Sequence, residues 1–236
     1  MAETNKLELP LLASGQAQKH VTVNEGFARL DALVQLSLET LNATVPPALP
    51  LEGEAHSVGV SASGDWVGQD GKVALFQNGG WVFLTPMTGW QGWSKESGTR
   101  VQYTGTDWIA GAGALSANGA GFVHRAVELD HDVAAGVTST VVGLLPSNAI
   151  VYGITARVLS QIGGVSNFEI GVAGSSDRYG SGIGTGAGAW ARGITGSPLT
   201  YYSDTDVEPT AVAGNFDGTG QIRIVAHIAE LSLPSA

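Results

Sequence analysis

Ile150-Val151-Tyr152-Gly153-Ile154-Thr155-Ala156-Arg157-Val158-Leu159 alternates along its length, with Ile150, Tyr152, Ile154, Ala156 and Val158 on one face and Thr155 and Arg157 on the other. Successive side chains of a strand point to opposite sides, so the run reads as a strand with one face in a core. The pattern recurs nearby. Phe168, Ile170 and Val172 alternate with Asn167 and Glu169, and Ile222, Ile224, Ala226 and Ile228 alternate with Arg223 and His227. Around eight such segments between residues 122 and 233 predict a β-sandwich, and specifically a jelly roll. The glycine-rich stretch Gly180–Gly196 reads as an excursion from the sheets that carries Trp190.

Composition fits this class. The chain has 236 residues, 34 of them glycine, and only 14% are charged. Abundant glycine with few charges suits β-structure with tight turns rather than a helical bundle. The net charge of −10 and the scatter of the eleven basic residues argue against a nucleic-acid partner, which needs clustered Lys and Arg. Acidity is even along the chain: residues 1–123 carry 11 acidic and 6 basic residues, and residues 124–236 carry 10 and 5. Cysteine is absent, so disulfides and thiolate metal sites are excluded. The first residues lack a basic region followed by an apolar run, and no apolar stretch approaches the roughly 18 residues of a membrane span. Synthesis and folding in the bacterial cytoplasm, without membrane insertion, are expected.

Working outward toward the N-terminus, residues 1–15 are predicted to be extended and to close at Ser14-Gly15. A helix is predicted from about 22 to 42, opened by a Thr22/Glu25 capping box. Val23, Phe27, Leu30, Val34, Leu38 and Leu41 recur at spacings of three or four, so the apolar side must be covered by its own domain or by other copies. Pro46, Pro47 and Pro50 end it. Short strands are predicted at Ser57–Ser61, Gly64–Val67, Val73–Gln77, Trp81–Leu84, Arg100–Tyr103 and Asp107–Ile109, with hairpin turns at Asp70-Gly71 and Asn78-Gly79. Residues 111–121 read as a small-residue linker.

Five of the six tryptophans lie between Trp66 and Trp108. Trp66 and Trp81, beside strand-like sequence, read as the core of a module too small to have another. Trp90 and Trp93, in the loop Thr88–Ser94, keep a claim to an exposed, sugar-stacking role. Asp204, Asp206 and Glu208 alternate as oxygen ligands of a hard cation can, but lack the glycine and terminal acid of the helix-loop-helix calcium motif, and read as a solvated acidic loop. In Asp130-His131-Asp132 only the two aspartates can share a face. The five histidines form no spaced metal pair, Gly180–Gly184 lacks the context of a phosphate loop, and no serine sits in a strand–turn–helix nucleophile motif. No metal or cofactor is expected, and the chain reads as a binding protein rather than an enzyme. A polysaccharide depolymerase, which needs only two carboxylates, is the enzymatic alternative.

Two stretches resemble a known family. Leu9-Pro-Leu-Leu-Ala-Ser-Gly-Gln-Ala-Gln-Lys-His-Val-Thr-Val-Asn-Glu-Gly26 with Leu30-Asp-Ala-Leu-Val34, then Gly64-Asp-Trp-Val-Gly68 and Asn78-Gly-Gly-Trp-Val-Phe-Leu-Thr-Pro-Met-Thr-Gly-Trp90, are similar to a domain of unknown biochemical function. That domain is found in tailed phages, prophages and gene transfer agents. The run from Tyr201 to His227 resembles a sandwich tail on the same kind of protein. The resemblance implies a head spike or fibre: a homotrimer held to capsid or other particle proteins, incorporated in the virion, that recognises capsular polysaccharide. A tail-fibre or baseplate component is the positional alternative. Lys19 and His20 match the motif and read as helix-entry structure.

The expected organisation is mainly β. It comprises an anchoring and trimerising helix in residues 1–50 (Phe27, Leu30, Val34, Leu38, Leu41), a Trp-rich β-module in 51–110, a linker at 111–121, and a jelly-roll sandwich in 122–236. Glycan contacts are expected from Trp190, Tyr201, Tyr202, Asp204 and Asp206, by aromatic stacking and carboxylate hydrogen bonds, with Trp90 and Trp93 as further candidates.

Overall fold

The alternating segments are strands, and the chain is mainly β, with one α-helix among the described residues. A computed structural model describes residues 2–13 and 19–234; the Ser14-Gly15 break lies outside them. The chain divides into two compact units, one up to Gly119 and one over Ala120–Pro234.

The N-terminal unit contains α1 (Lys19–Val34), β1 (Ser37–Leu38), β2 (Ala55–Ser57), β3 (Val73–Gln77), β4 (Gly80–Leu84), β5 (Gln91–Ser94), β6 (Thr99–Tyr103), β7 (Trp108–Ala110) and β8 (Ala112–Leu115). Two small sheets run β1-β5-β6-β7 and β2-β3-β4. The β3–β4 hairpin turns at Asn78-Gly79, where both residues take positive φ. Val73, Ala74 and Leu75 of the central strand β3 are buried on both faces of the β2-β3-β4 sheet. Val73 and Leu75 join Leu36, Leu38, Ala55, Val101, Tyr103 and Trp108 in one cluster, while Ala74 faces Trp66 and Val58 in another.

Five sequence expectations fail here. The helix begins at Lys19, with Thr22 inside it, and stops at Val34. No Gly or Pro ends it. The Leu36 and Leu38 carbonyls instead accept the Trp93 and Lys95 N–H groups, and Leu38 is a fully buried residue of β1, paired parallel to β5. Tertiary pairing has taken the backbone from the helix, so Leu38 and Leu41 are core residues of the small sheets rather than part of a trimerising stripe. Gly64–Trp66 is a single 3₁₀ turn, not a strand, because Gly64 holds φ +60 and tucks Trp66 under the sheet. The 88–94 loop contains a strand, β5, and residues 112–115 of the small-residue stretch form β8.

Loops in this unit are held by carboxylates that accept backbone N–H groups. Asp31, buried on α1, accepts from Lys6 and Leu7 and from the Thr4 hydroxyl, folding segment 2–13 onto the helix. Asp70 holds Ser61 and Ala62, and Glu52 holds Asn78 and Gly79.

The C-terminal unit contains β9 (Gly121–Asp132), β10 (Val141–Leu145), β11 (Ile150–Ser160), β12 (Asn167–Val172), β13 (Ser175–Gly184), β14 (Trp190–Thr200), β15 (Thr205–Ala211) and β16 (Gln221–Leu231). One sheet runs β14-β11-β16-β9 and the other β10-β15-β12-β13. The antiparallel pairs are nested: β9 with β16, β10 with β15, β11 with β14 and β12 with β13. A long hairpin wrapped into two sheets in this order is a jelly roll. Its core lies between the sheets and is mostly aliphatic, with Phe168, Phe216 and Tyr179 as the large rings.

Two local expectations change. A bulge between Val151 and Gly153 shifts the register of β11. Val151 therefore faces the core, while Ile150 and Tyr152 are half-exposed and Tyr152 stacks on His124 outside. Only from Ile154 onward does the alternation hold as predicted. Gly180–Gly196 is not an excursion but the end of β13, a turn and the start of β14. Its glycines permit close backbone approach. A Cβ on Gly193 would lie 1.8 Å from the Tyr179 carbonyl oxygen.

Candidate functional site

β14 opens with Trp190, and the indole is 62% exposed on the outer face of the β14-β11-β16-β9 sheet. Ala191 points inward to the core, so Arg192, two residues along, shares the outer face. Its guanidinium carbon lies 5.8 Å from the indole centroid, within cation–π range.

The sheet register brings further groups to the same place. Trp190 pairs with Arg157, Arg157 with Arg223, and Arg223 with Asp130, giving one row across four strands. In the adjacent row Arg192 pairs with Thr155, Thr155 with Val225, and Val225 with Glu128. The Thr155 hydroxyl lies 2.9 Å from His227 Nε2. Thr155, Arg157, Trp190, Arg192, Arg223 and Val225 line a cleft of about 510 Å³, and a second of about 390 Å³ lies on the β13 side of Trp190. The indole is thus a ridge between two grooves.

Arg223 is already engaged. Its Nε donates to Asp130 Oδ1 at 2.6 Å and its Nη2 to Oδ2 at 2.8 Å, a two-pronged bond. That bond holds the Asp130 carboxyl below the usual carboxylate range and raises the arginine further. Among the described residues, Arg157 and Arg192 make no ion pair.

The other predicted contacts do not gather around Trp190. Tyr201 and Tyr202 follow the far end of β14, where Thr200 pairs with Ile150 while Trp190 pairs with Arg157, roughly 23 Å away along β11. Tyr201 is half-buried against the core, its hydroxyl 2.8 Å from that of Tyr179, whose own ionisation burial opposes. Tyr202 is exposed. Asp204 accepts the Ser147 N–H at 2.9 Å and holds a loop, and Asp206 accepts the Gly143 N–H at 2.7 Å and holds the irregular middle of β10. In the N-terminal unit, Trp90 packs on the core of the small sheets, whereas Trp93 on β5 is 50% exposed. Trp66 is fully buried, with the Trp81 ring edge-on at 5.1 Å. Of the expected constellation, Trp190 alone stands in a cleft among charged groups.

The sequence reading missed Arg157, Arg192 and Arg223. The outward parity of Arg157 and Arg223 was visible in their alternating strands, but the register that sets them side by side was not. Reading Gly180–Gly196 as an excursion hid the fact that Arg192 shares a strand face with Trp190.

Elsewhere, Asp130 and Asp132 share the outer face of β9, as the alternation predicts, and Asp132 accepts a hydrogen bond from Gln221. His131 points the other way, to the Ser139 hydroxyl at 2.7 Å, and burial lowers its pKa. Glu169 and Glu208 line a cleft of about 570 Å³ on the other sheet, where Ser176 donates to Glu169 at 2.8 Å. No group of three or more metal-ligating side chains occurs among the described residues. No helix is long and apolar enough to cross a membrane among them.

Comparison with known proteins reaches part of the chain. Residues 23–109, within the N-terminal unit, match a family described as a protein of unknown function (DUF2793). Among solved structures, the chain is similar to one from the cyanophage Pam1 capsid asymmetric unit, at 24% identity and a TM-score of 0.32, over 50% of this chain and 91% of that one. Curated proteins give no match.

Proposed function

We propose that the chain is a non-enzymatic head spike or fibre subunit of a phage-like particle, and that its jelly roll binds capsular polysaccharide on the recipient cell. The observation that carries the binding role is Trp190: an exposed indole on a sheet face, set between two grooves and flanked by arginines. Flat aromatic faces suit the apolar faces of sugar rings. The particle role rests on the resemblance of residues 9–34 and 64–90 to domains of phage and gene-transfer-agent proteins. The jelly roll adds support only at the level of fold, since viral capsid and lectin domains both use it.

Trimerisation belongs to the same proposal, on a shorter stripe than the sequence suggested. Val23, Phe27, Leu30 and Val34 are spaced four, three and four along α1. Val23, Leu30 and Val34 remain exposed and Phe27 is only partly buried. Such a stripe suits a short parallel bundle of three copies, in which weak sugar contacts on each copy would act together.

The test is adsorption. Particles carrying Trp190→Ala should lose most binding to capsulated cells, and Tyr202→Ala particles should adsorb as wild type. Unchanged adsorption by the Trp190 variant would sink the site. Release of reducing ends when purified protein is incubated with capsule would favour a depolymerase instead, with Glu169 and Glu208 as the carboxylates to replace first.

A further inference from the structure

The charges around Trp190 do not balance. Every basic residue of the C-terminal unit is an arginine, five in all, and three of them converge on this one sheet face. Arg157 and Arg223 are direct cross-strand partners, an arrangement that places like charges opposite each other and destabilises the pair. Arg192 is diagonal to Arg157, because its own partner, Thr155, precedes Arg157 by two residues on β11. Asp130 is engaged by Arg223, and Glu128 lies 3.7 Å from the same guanidinium. Arg157 and Arg192 have no carboxylate partner among the described residues, on a chain whose net charge is −10.

We infer that this face takes an acidic polysaccharide, with a sugar ring stacked on Trp190 and the carboxylate of a uronic acid held by Arg157 and Arg192. The inference rests on the glycan-binding reading above and narrows its ligand. Arg157 stands on the strand next to Trp190, roughly 5 Å away, and Arg192 stands about 7 Å along the same strand, so both reach a group projecting from a ring on the indole. The guanidinium fork matches a carboxylate with two parallel N–H···O bonds, which an ammonium cannot do. An anion there would also relieve the repulsion between Arg157 and Arg223. Thr155 and His227, bonded to each other beside Arg192, supply hydroxyl and imidazole groups for the neighbouring sugar.

The unfavourable field of the rest of the molecule sets the mode of binding. A chain of net charge −10 repels a long polyanion overall, and Glu128 and Asp130 at the edge of this face add to that. Recognition should therefore be of a short segment, and should weaken as salt screens the arginines.

Titration calorimetry of the purified full chain with oligogalacturonate, its methyl ester and a sulfated polyanion, heparin, tests this. Wild type should bind oligogalacturonate and lose roughly tenfold or more on esterification, as expected when charged hydrogen bonds are removed. Arg157→Gln and Arg192→Gln should each weaken the acid form by a similar factor and leave the ester form unchanged, while Trp190→Ala should weaken both forms. Equal binding of acid and ester, or Arg variants that bind the acid form as wild type, would overturn the acidic ligand and leave the glycan-binding reading standing. Heparin binding that survives Trp190→Ala, with no oligogalacturonate binding, would make the face a plain polyanion site. Absence of binding to acid and ester alike would remove both readings. Unchanged circular dichroism of each variant separates loss of contact from loss of fold.

Discussion

The N-terminal unit has strands of two to five residues, and the jelly roll has strands of five to twelve. Short strands bury little, and the first unit makes up the deficit with large rings and with carboxylates turned onto backbone N–H groups. Trp66 is the main ring of its smaller cluster, packed on His56 at 5.4 Å and Trp81 at 5.1 Å. The second unit needs no tryptophan in its core, because Ile154, Ile170, Ile222, Ile224 and Ile228 fill the space between two long sheets. Its only tryptophan is therefore released to the surface. Trp66 is thus scaffold in one unit, while Trp190 is left exposed in the other, whose long strands supply an aliphatic core.

This contrast can be broken most forcefully at Trp66. Trp66→Ala should cost about 3–5 kcal/mol, the range for removing a buried aromatic, and the loss should stay within the first unit. Hydrogen exchange checks both halves of the claim: protection should fall on β3 and β4 and persist on β11 and β16. Loss of protection in the jelly roll as well would refute the division of labour.

Asp31→Ala comes next. It strands the Lys6 and Leu7 N–H groups and the Thr4 hydroxyl, and should cost about 2–3 kcal/mol in urea denaturation, since each buried unsatisfied donor is expensive. Asp31→Asn, which keeps one acceptor oxygen, should recover part of this. In the jelly roll the matching weak point is backbone, not side chain. Gly193→Ala pushes a methyl into the Tyr179 carbonyl and should cost about 1–3 kcal/mol. Because Gly193 lies on the strand that presents Trp190 and Arg192, ligand binding should fall with stability.

The smallest effect is a pH dependence shared by the two units. Burial lowers the pKa of His56 in the first and of His131 in the second. A histidine held neutral in the fold takes up a proton more readily once unfolded. Its contribution is present above the ordinary histidine value of about 6.5 and is lost as pH falls through its lower folded value. Denaturation of His56→Gln and His131→Gln between neutral and mildly acid pH should show a shallower loss of stability in each, confined to the unit concerned.

What the sequence made legible followed from local chemistry. The hairpin at Asn78-Gly79 and the strand Val73–Gln77 could be read from turn residues and flanking apolar runs, and Ile222–Ile228 from clean alternation. The same rules failed where a distant partner decided. Nothing within Gln35–Leu41 stops a helix; the backbone of β5 does. Nothing in Ile150–Tyr152 announces that a bulge turns Val151 inward. The candidate site suffered for the same reason. Trp190 was visible as a lone tryptophan among glycines, but Arg157 and Arg223 became its neighbours only through register. Asp204 and Asp206 looked free because their partners, Ser147 and Gly143, are far away in the chain.

The nesting of the jelly-roll strands also dictates when this protein can become itself. Gly121 donates its N–H to the Ser232 hydroxyl across 111 residues of chain, and β9 can zip along β16 only after that last strand has been made. The innermost pair, β12 with β13, is the first available, and each outer pair must close a longer loop around it. Such non-local topology folds slowly. The N-terminal unit, whose partners are mostly close in sequence, has the time to finish while the rest is still being translated. During that interval β9 is an open strand with no mate. A second copy of the chain could lend it one, so β9 stays open to strand exchange until β16 has been made.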